Sequence, residues 1–191
     1  KIPERFTDVV TDEEYKKSIN YNIERIRFSI LTSVFGVGVL LFFTIGGMLN
    51  SLTVFVQGVT SSNIVGAILL GLLLIVIGEI IEIPLAVYST FYIEEKYGFN
   101  KTTTKTFVTD LFKNLLIQSI FSSILYAIVI SIIENLGNNW WIYAFTAVFL
   151  LQLIIFYIYP VLILPLFNKF VPLEDEKFKA PIERLLEKIS F

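Results

Sequence analysis

The 191 residues include no histidine and no cysteine. The first absence removes the commonest general base and the commonest zinc ligand. The second removes disulfide frameworks and thiolate metal sites. Charge is scarce as well: Asp, Glu, Lys and Arg make up 17% of the chain, against about a quarter in an ordinary soluble domain. That is too little to cover a water-exposed surface. The net charge of −2 gives no hint of a nucleic-acid partner, and no basic tract offers a groove for one. In place of charge the chain is 55% hydrophobic, with a mean hydropathy of +0.73.

The few charges are strongly segregated. No Asp, Glu, Lys or Arg occurs from Phe28 to Gly78, from Asn114 to Ile133, or from Asn135 to Asn168. A bilayer core about 30 Å thick is crossed by about 20 apolar residues in helical form. The first run is long enough for two passes, and the Asn, Ser, Thr and Gln of residues 50–63 predict an exposed loop between them. The pattern predicts membrane-spanning helices at about 28–49, 64–93, 114–134 and 140–167. These runs are too long for buried strands, and they lack the alternation of barrel strands. The expected class is all-α: a multi-pass helical membrane protein with four spans and flanking amphipathic segments at 1–27 and 168–191.

Orientation follows from the basic residues. Six lie in residues 1–27, four in 94–113 and five in 168–191, while the loops at 50–63 and 134–139 hold none. With four spans, all fifteen fall on one side, which the positive-inside rule makes the cytoplasm. Trp140 and Trp141 then mark the opposite interface. At the N-terminal end, Thr11 and Glu14 stand in the reciprocal positions of a capping box, and Tyr15, Ile19, Ile23 and Ile26 follow on one helical face. Phe178, Ile182, Leu185, Leu186 and Ile189 form a second apolar stripe. Both stripes predict packing against neighbouring protein, with lipid as the other surface they suit. A start at Lys1 and a stop at Phe191 just after an amphipathic helix lead us to expect a fragment.

Three stretches carry possible chemistry. Glu79 and Glu82 are the carboxylates inside a predicted span, at i, i+3 and so on one helical face. From a start near Ile64, Glu79 lies about 22–24 Å along the helix. Carboxylates at such depth are costly unless they face a polar interior. Three environments suit them: the headgroup layer or a structural partner, a water-filled cavity, or an ion or proton pathway. Pro84 just beyond removes one helical donor. The second stretch, "FYIEEKYGFNKTT" at 91–103, predicts a helix end at Gly98, with Lys96 complementing the helix dipole. Thr102, Thr103 or Thr104 would cap the next helix. The third stretch, "YPVLILPLFNKFVPL" at 159–173, predicts a helix broken by its prolines as it leaves the membrane.

Taken together, "STFYIEEKYGFNKTT" at 89–103, "YPVLILPLFNKFVPLED" at 159–175 and "KIPERF…YKKSINYNIERIRF" at 1–28 resemble the type I CAAX prenyl protease family. These are integral-membrane zinc metallopeptidases, and the resemblance covers essentially the whole chain. It implies a ring of seven helices around a water-filled chamber, closed by a zinc domain facing the cytoplasm, where a peptide is cut near its C-terminus. Family members bind zinc through an HExxH helix and a downstream glutamate. Without histidine, this chain offers no catalytic residue and no metal ligand. It resembles the second to fifth helices, with zinc and the catalytic domain supplied by the remainder of the complete protein.

By resemblance, Glu79 and Glu82 face the chamber, while Glu94, Glu95, Lys96, Gly98, Phe99 and Asn100 build the wall on which the zinc domain packs. Implied partners are the bilayer, the missing catalytic domain and a peptide or protein substrate, prenylated or not. The abundance of Ile, Asn, Lys and Phe leans towards a bacterial inner membrane rather than the endoplasmic reticulum, and towards quality control of membrane proteins. Two other classes fit the residues alone: a non-enzymatic membrane scaffold, and part of a transporter using Glu79 and Glu82.

Overall fold

The computed structural model describes residues 11–168 and, beyond them, residues 170, 179, 181, 182, 184, 185 and 188. The described residues are almost entirely helical, and four helical stretches are long and apolar enough to cross a membrane: Asp12–Thr44, Asn63–Glu94, Thr104–Asn135 and Gly137–Phe167. The chain divides into two compact units, Lys1–Phe145 and Thr146–Phe191.

Helix α1, Asp12–Thr44, opens with the expected capping box. Glu14 N–H donates to Thr11 Oγ1 over 3.2 Å, and Thr11 N–H donates to Glu14 Oε2 over 2.9 Å. Asp12, Glu13 and Glu14 fill its first turn, where negative charge complements the helix dipole. At 33 residues α1 is about 50 Å long, well beyond the apolar thickness of a bilayer. Its charged first turns and its uncharged remainder therefore form one continuous rod, where the pattern predicted a separate segment at 1–27. It stops at Thr44, short of the expected 49. Ile45 and Gly46 both donate to the Leu41 carbonyl, and Gly47 reverses the chain at φ +80°, a backbone that glycine adopts without strain.

The expected loop at 50–63 is mostly helix: α2 runs from Met48 to Val59. Its polar side chains satisfy themselves inside the helix. Ser51 Oγ donates to Gly47 O at 3.1 Å and Thr53 Oγ1 to Leu49 O at 2.9 Å. Val56, only 4% exposed, anchors its inner face. Counting Ser, Thr and Gln as loop formers missed this back-bonding.

Helix α3, Asn63–Tyr88, is N-capped by Ser62 and contains Pro84, which removes one donor. From Ser89 to Glu94 it widens into a π-helical turn, a geometry frequent at functional sites. Helix α4, Thr104–Asn135, is capped by Thr103, whose Oγ1 accepts from Thr106 N–H at 3.1 Å. It starts ten residues before the predicted span at 114. Helices α3 and α4 form the most extensive pair in the first unit. Gly71 is buried there, and the ring of Tyr126 occupies the space a β-carbon would need. A three-residue 3₁₀ turn, Gly137–Asn139, leads to α5, Trp140–Ile158.

In the second unit, α5 passes into a π-helical turn at Tyr159–Ile163 and then into α6, Leu164–Phe167. The prolines do not break the helix before Asn168. Pro160 and Pro165 lie inside this continuous stretch, each leaving one helical carbonyl without its donor. Of the C-terminal stripe, Ile182 and Leu185 are exposed; Phe178, Leu186 and Ile189 lie outside the described residues.

Buried apolar side chains are few among the described residues: Val56, Ile93 and Ala144. Most large apolar groups face outward, including Phe112, Phe145 and Phe156. Hydrocarbon surface on this scale needs lipid or further protein against it. With four helices long enough to span a bilayer, the chain is a multi-pass helical membrane protein.

Candidate functional site

The turn after the π-helical segment is fixed by backbone bonds. Gly98 takes φ +70°, its N–H donates to Glu95 O, and Phe99 N–H donates to Glu94 O, both over 2.9 Å. Asn100 then bridges the turn. Its Nδ2 donates to Glu95 Oε2 at 2.9 Å, and its Oδ1 accepts from Thr102 N–H at 2.7 Å. The Glu94 side chain has no hydrogen bond among the described residues. Ile93, 2% exposed, is the apolar pin under the turn.

This turn clamps the first part of α1. Lys96 Nζ donates to Glu24 Oε2 at 2.8 Å, and Tyr97 Oη donates to the same oxygen at 2.7 Å. The Tyr21 ring lies between Tyr97 and Phe99, with centroids 5.5 and 4.7 Å away. Lys17 Nζ stands 6.0 Å from the centre of the Phe99 ring. The hydrogen bond to Glu24 raises the pKa of the Lys96 ammonium above its ordinary value, and the same acceptor raises that of the Tyr97 hydroxyl.

Lys17, Tyr21 and Glu24 follow one another at i, i+4 and i+7, on a single helical face. Sequence reading singled out none of the three, and it noted Tyr97 within the 91–103 stretch without giving it a partner. It followed Tyr15, Ile19, Ile23 and Ile26 on the opposite face, where the three isoleucines are exposed. The signal was the heptad spacing of one aromatic and two charged residues facing a second aromatic–charge cluster at 94–100.

Glu79 and Glu82 go to different places. Glu79 Oε1 accepts from Gln118 Nε2 at 3.2 Å, and Glu79 closes one end of an apolar groove of about 600 Å³ between α3 and α4, lined by Val87, Phe91, Phe107 and Leu111. Glu82 lines a smaller groove of about 340 Å³ between α3 and α1, beside Thr32, Ser33 and Gly36. A 60° offset at i, i+3 was expected to keep both on one face. The neighbours on either side of α3 turn that offset into two separate environments. Gln118 is a further site residue that sequence reading missed, its amide lying within an uncharged, mostly apolar run.

The arrangement does not suit a resident zinc ion. The donors at hand are carboxylates, amides and hydroxyls, whereas zinc sites are built around Cys and His. Among the described residues no three Asp or Glu gather at one place. No chemical step is therefore assigned to a metal on this chain.

Comparison with known proteins agrees with this architecture. Residues 1–169 match the family model described as CAAX prenyl protease N-terminal, five membrane helices. A probable CAAX prenyl protease 1 of Schizosaccharomyces pombe is 34% identical over 204 residues, covering 100% of this chain and 43% of the relative. The CAAX prenyl protease 1 of Saccharomyces cerevisiae is 32% identical over 203 residues, covering 100% and 44%. A crystal structure of Ste24p from S. mikatae superposes with a TM-score of 0.86 at 30% identity, covering 99% of this chain and 46% of that one. The chain thus spans less than half the length of the relatives it matches. With its four spans, the turn at 94–100 and this match over most of its length, the chain belongs to the CAAX prenyl protease N-terminal family.

Proposed function

We propose that this chain is the membrane wall of a zinc metalloendopeptidase whose catalytic residues and zinc lie in a further domain of the same protein. The wall has two jobs. It encloses a hydrated chamber within the bilayer, and it offers the turn at Glu94–Asn100 as a rigid ledge for the catalytic domain. The observation that carries the reading is the clamp of Lys96 and Tyr97 on Glu24. It fixes the ledge to α1 while leaving Glu94 half-buried and the outer face of Phe99 exposed. Family membership supports a peptide substrate, cut near a CAAX-like C-terminus, with or without a prenyl group. Glu79 and Glu82 fit hydrated wall positions, because a carboxylate facing lipid tails carries a penalty that water removes. The basic segments face the cytoplasm in this reading.

A peptidase assay tests it. The full-length protein cleaves a C-terminal peptide in a chelator-sensitive way, and the 191-residue chain alone does not. Cleavage by the isolated chain, or chelator-insensitive cleavage by the whole protein, overturns the proposal.

A further inference from the structure

At the end of the bundle opposite the 94–100 turn lies a cavity of about 480 Å³ between α2, α3 and α4. Its mouth is tied by Asn63 Nδ2, which donates to Glu134 Oε1 at 2.7 Å. Three of its lining groups are open to a ligand: the second Glu134 oxygen, the Gln57 amide and the Ser61 hydroxyl have no hydrogen bond among the described residues. Thr53 and Thr60 line the cavity too, but their hydroxyls are engaged with backbone groups. The floor is aliphatic, made by Val56, Leu70, Ile130 and Ile133.

We infer that this cavity binds the headgroup of a primary-amine phospholipid in the leaflet opposite the basic segments, with the ammonium on Glu134. Four observations select that ligand. A carboxylate with no lysine or arginine in the lining rejects a purely anionic headgroup and draws a cation. No aromatic residue lines the cavity, so a trimethylammonium group, which lacks N–H donors and is held by aromatic cages, finds no partner here. A primary ammonium brings three donors, matching the acceptors of Glu134, Gln57 and Ser61. A single carboxylate gives a hard divalent cation too little charge and too few strong oxygens.

Depth makes the ligand a lipid rather than a free amine. Helix α4 has 32 residues and is about 48 Å long, longer than a bilayer with its headgroup layers. Glu134, one residue from its end, therefore stands at headgroup level, six residues before the interfacial Trp140. The aliphatic floor continues from there towards the acyl region. A polar rim above an apolar wall is what an amphiphile occupies.

Native mass spectrometry of the full-length protein, with matched additions of dioleoylphosphatidylethanolamine and dioleoylphosphatidylcholine, tests the inference. The expected result is a preference for the ethanolamine lipid of roughly tenfold, the scale of one charge-assisted hydrogen bond. Glu134→Gln keeps an acceptor for Asn63, so the α3–α4 tie persists, yet it abolishes the preference. Equal retention of the two lipids, or a preference that survives E134Q, overturns the proposal. Thermal melting with spermidine is the second arm. Stabilisation by the soluble amine, lost in E134Q and not reproduced by the ethanolamine lipid, would contradict the lipid assignment.

Discussion

Gly71 leaves room for the Tyr126 ring where α3 packs on α4. It is buried, and any side chain there meets the Tyr126 ring of α4. Gly71→Ala should destabilise the protein by about 1–3 kcal/mol, the usual cost of overpacking. Tyr126→Leu in the same protein should recover part of the loss, measured as a melting temperature in detergent. A G71A protein that melts like the parent would show that the ring yields freely. At the other end of α3, Lys96 and Tyr97 share one acceptor, Glu24, which raises both their pKa values. A raised folded-state pKa means that the contact stabilises below the group's ordinary value and is lost as pH rises through the raised one. Proteolysis at the 96–103 turn should therefore accelerate on the alkaline side, and Glu24→Gln should flatten that limb. An unchanged alkaline limb in E24Q would remove Glu24 as the cause. At this scale the caps were legible, because Thr11, Gly98 and Thr103 act on their own backbone. The clamp was not, because Glu24 and Lys96 are 72 residues apart and nothing local pairs them.

Among the elements, α3 carries Glu79 and Glu82, the two carboxylates assigned to the wall of the proposed chamber. Glu79→Gln and Glu82→Gln in the full-length protein should each fold normally and lose little peptidase activity, since the near-isosteric amide still hydrogen-bonds to water and carries no charge to desolvate. Replacing both by Leu should impair substrate turnover more than melting temperature. Loss of all activity in either single Gln variant would point instead to an obligatory ion site. Because Glu79 is bonded to Gln118 and Glu82 is not, Glu79→Leu should cost more stability than Glu82→Leu, through the amide left unpaired. The four long helices were legible in the sequence from the length of their uncharged runs. Helix α2 was not: its Ser and Thr mimic a loop in composition, while their hydroxyls bond back to carbonyls one turn earlier. The start of α4 was legible as a cap among Thr102, Thr103 and Thr104; the helix capped at Thr103 carries Lys105, Asp110 and Lys113 before it reaches the apolar run.

For the molecule as a whole, the segregation of charge is the feature from which the rest follows. Uncharged runs set the spans, and in the proposed topology an even number of spans would return the chain to its starting side and put the fifteen basic residues on one face. On the proposed topology the 94–100 turn lies towards that face, and the cavity at Glu134 lies at the opposite ends of α3 and α4. The number of long apolar helices was legible from the charge pattern before any coordinates. The pairing of α3 with α4 was not, since several packings of four apolar helices satisfy the same hydropathy profile. The sidedness is also the claim on which the protease-wall reading depends most. It is tested by single cysteines, which the natural sequence leaves free to introduce. In intact cells or sealed, oriented vesicles, a membrane-impermeant thiol reagent should label Ser61→Cys and Asn138→Cys and spare Asn100→Cys until the membrane is opened. Labelling of Asn100→Cys in the sealed state, with Ser61→Cys and Asn138→Cys protected, would contradict the account.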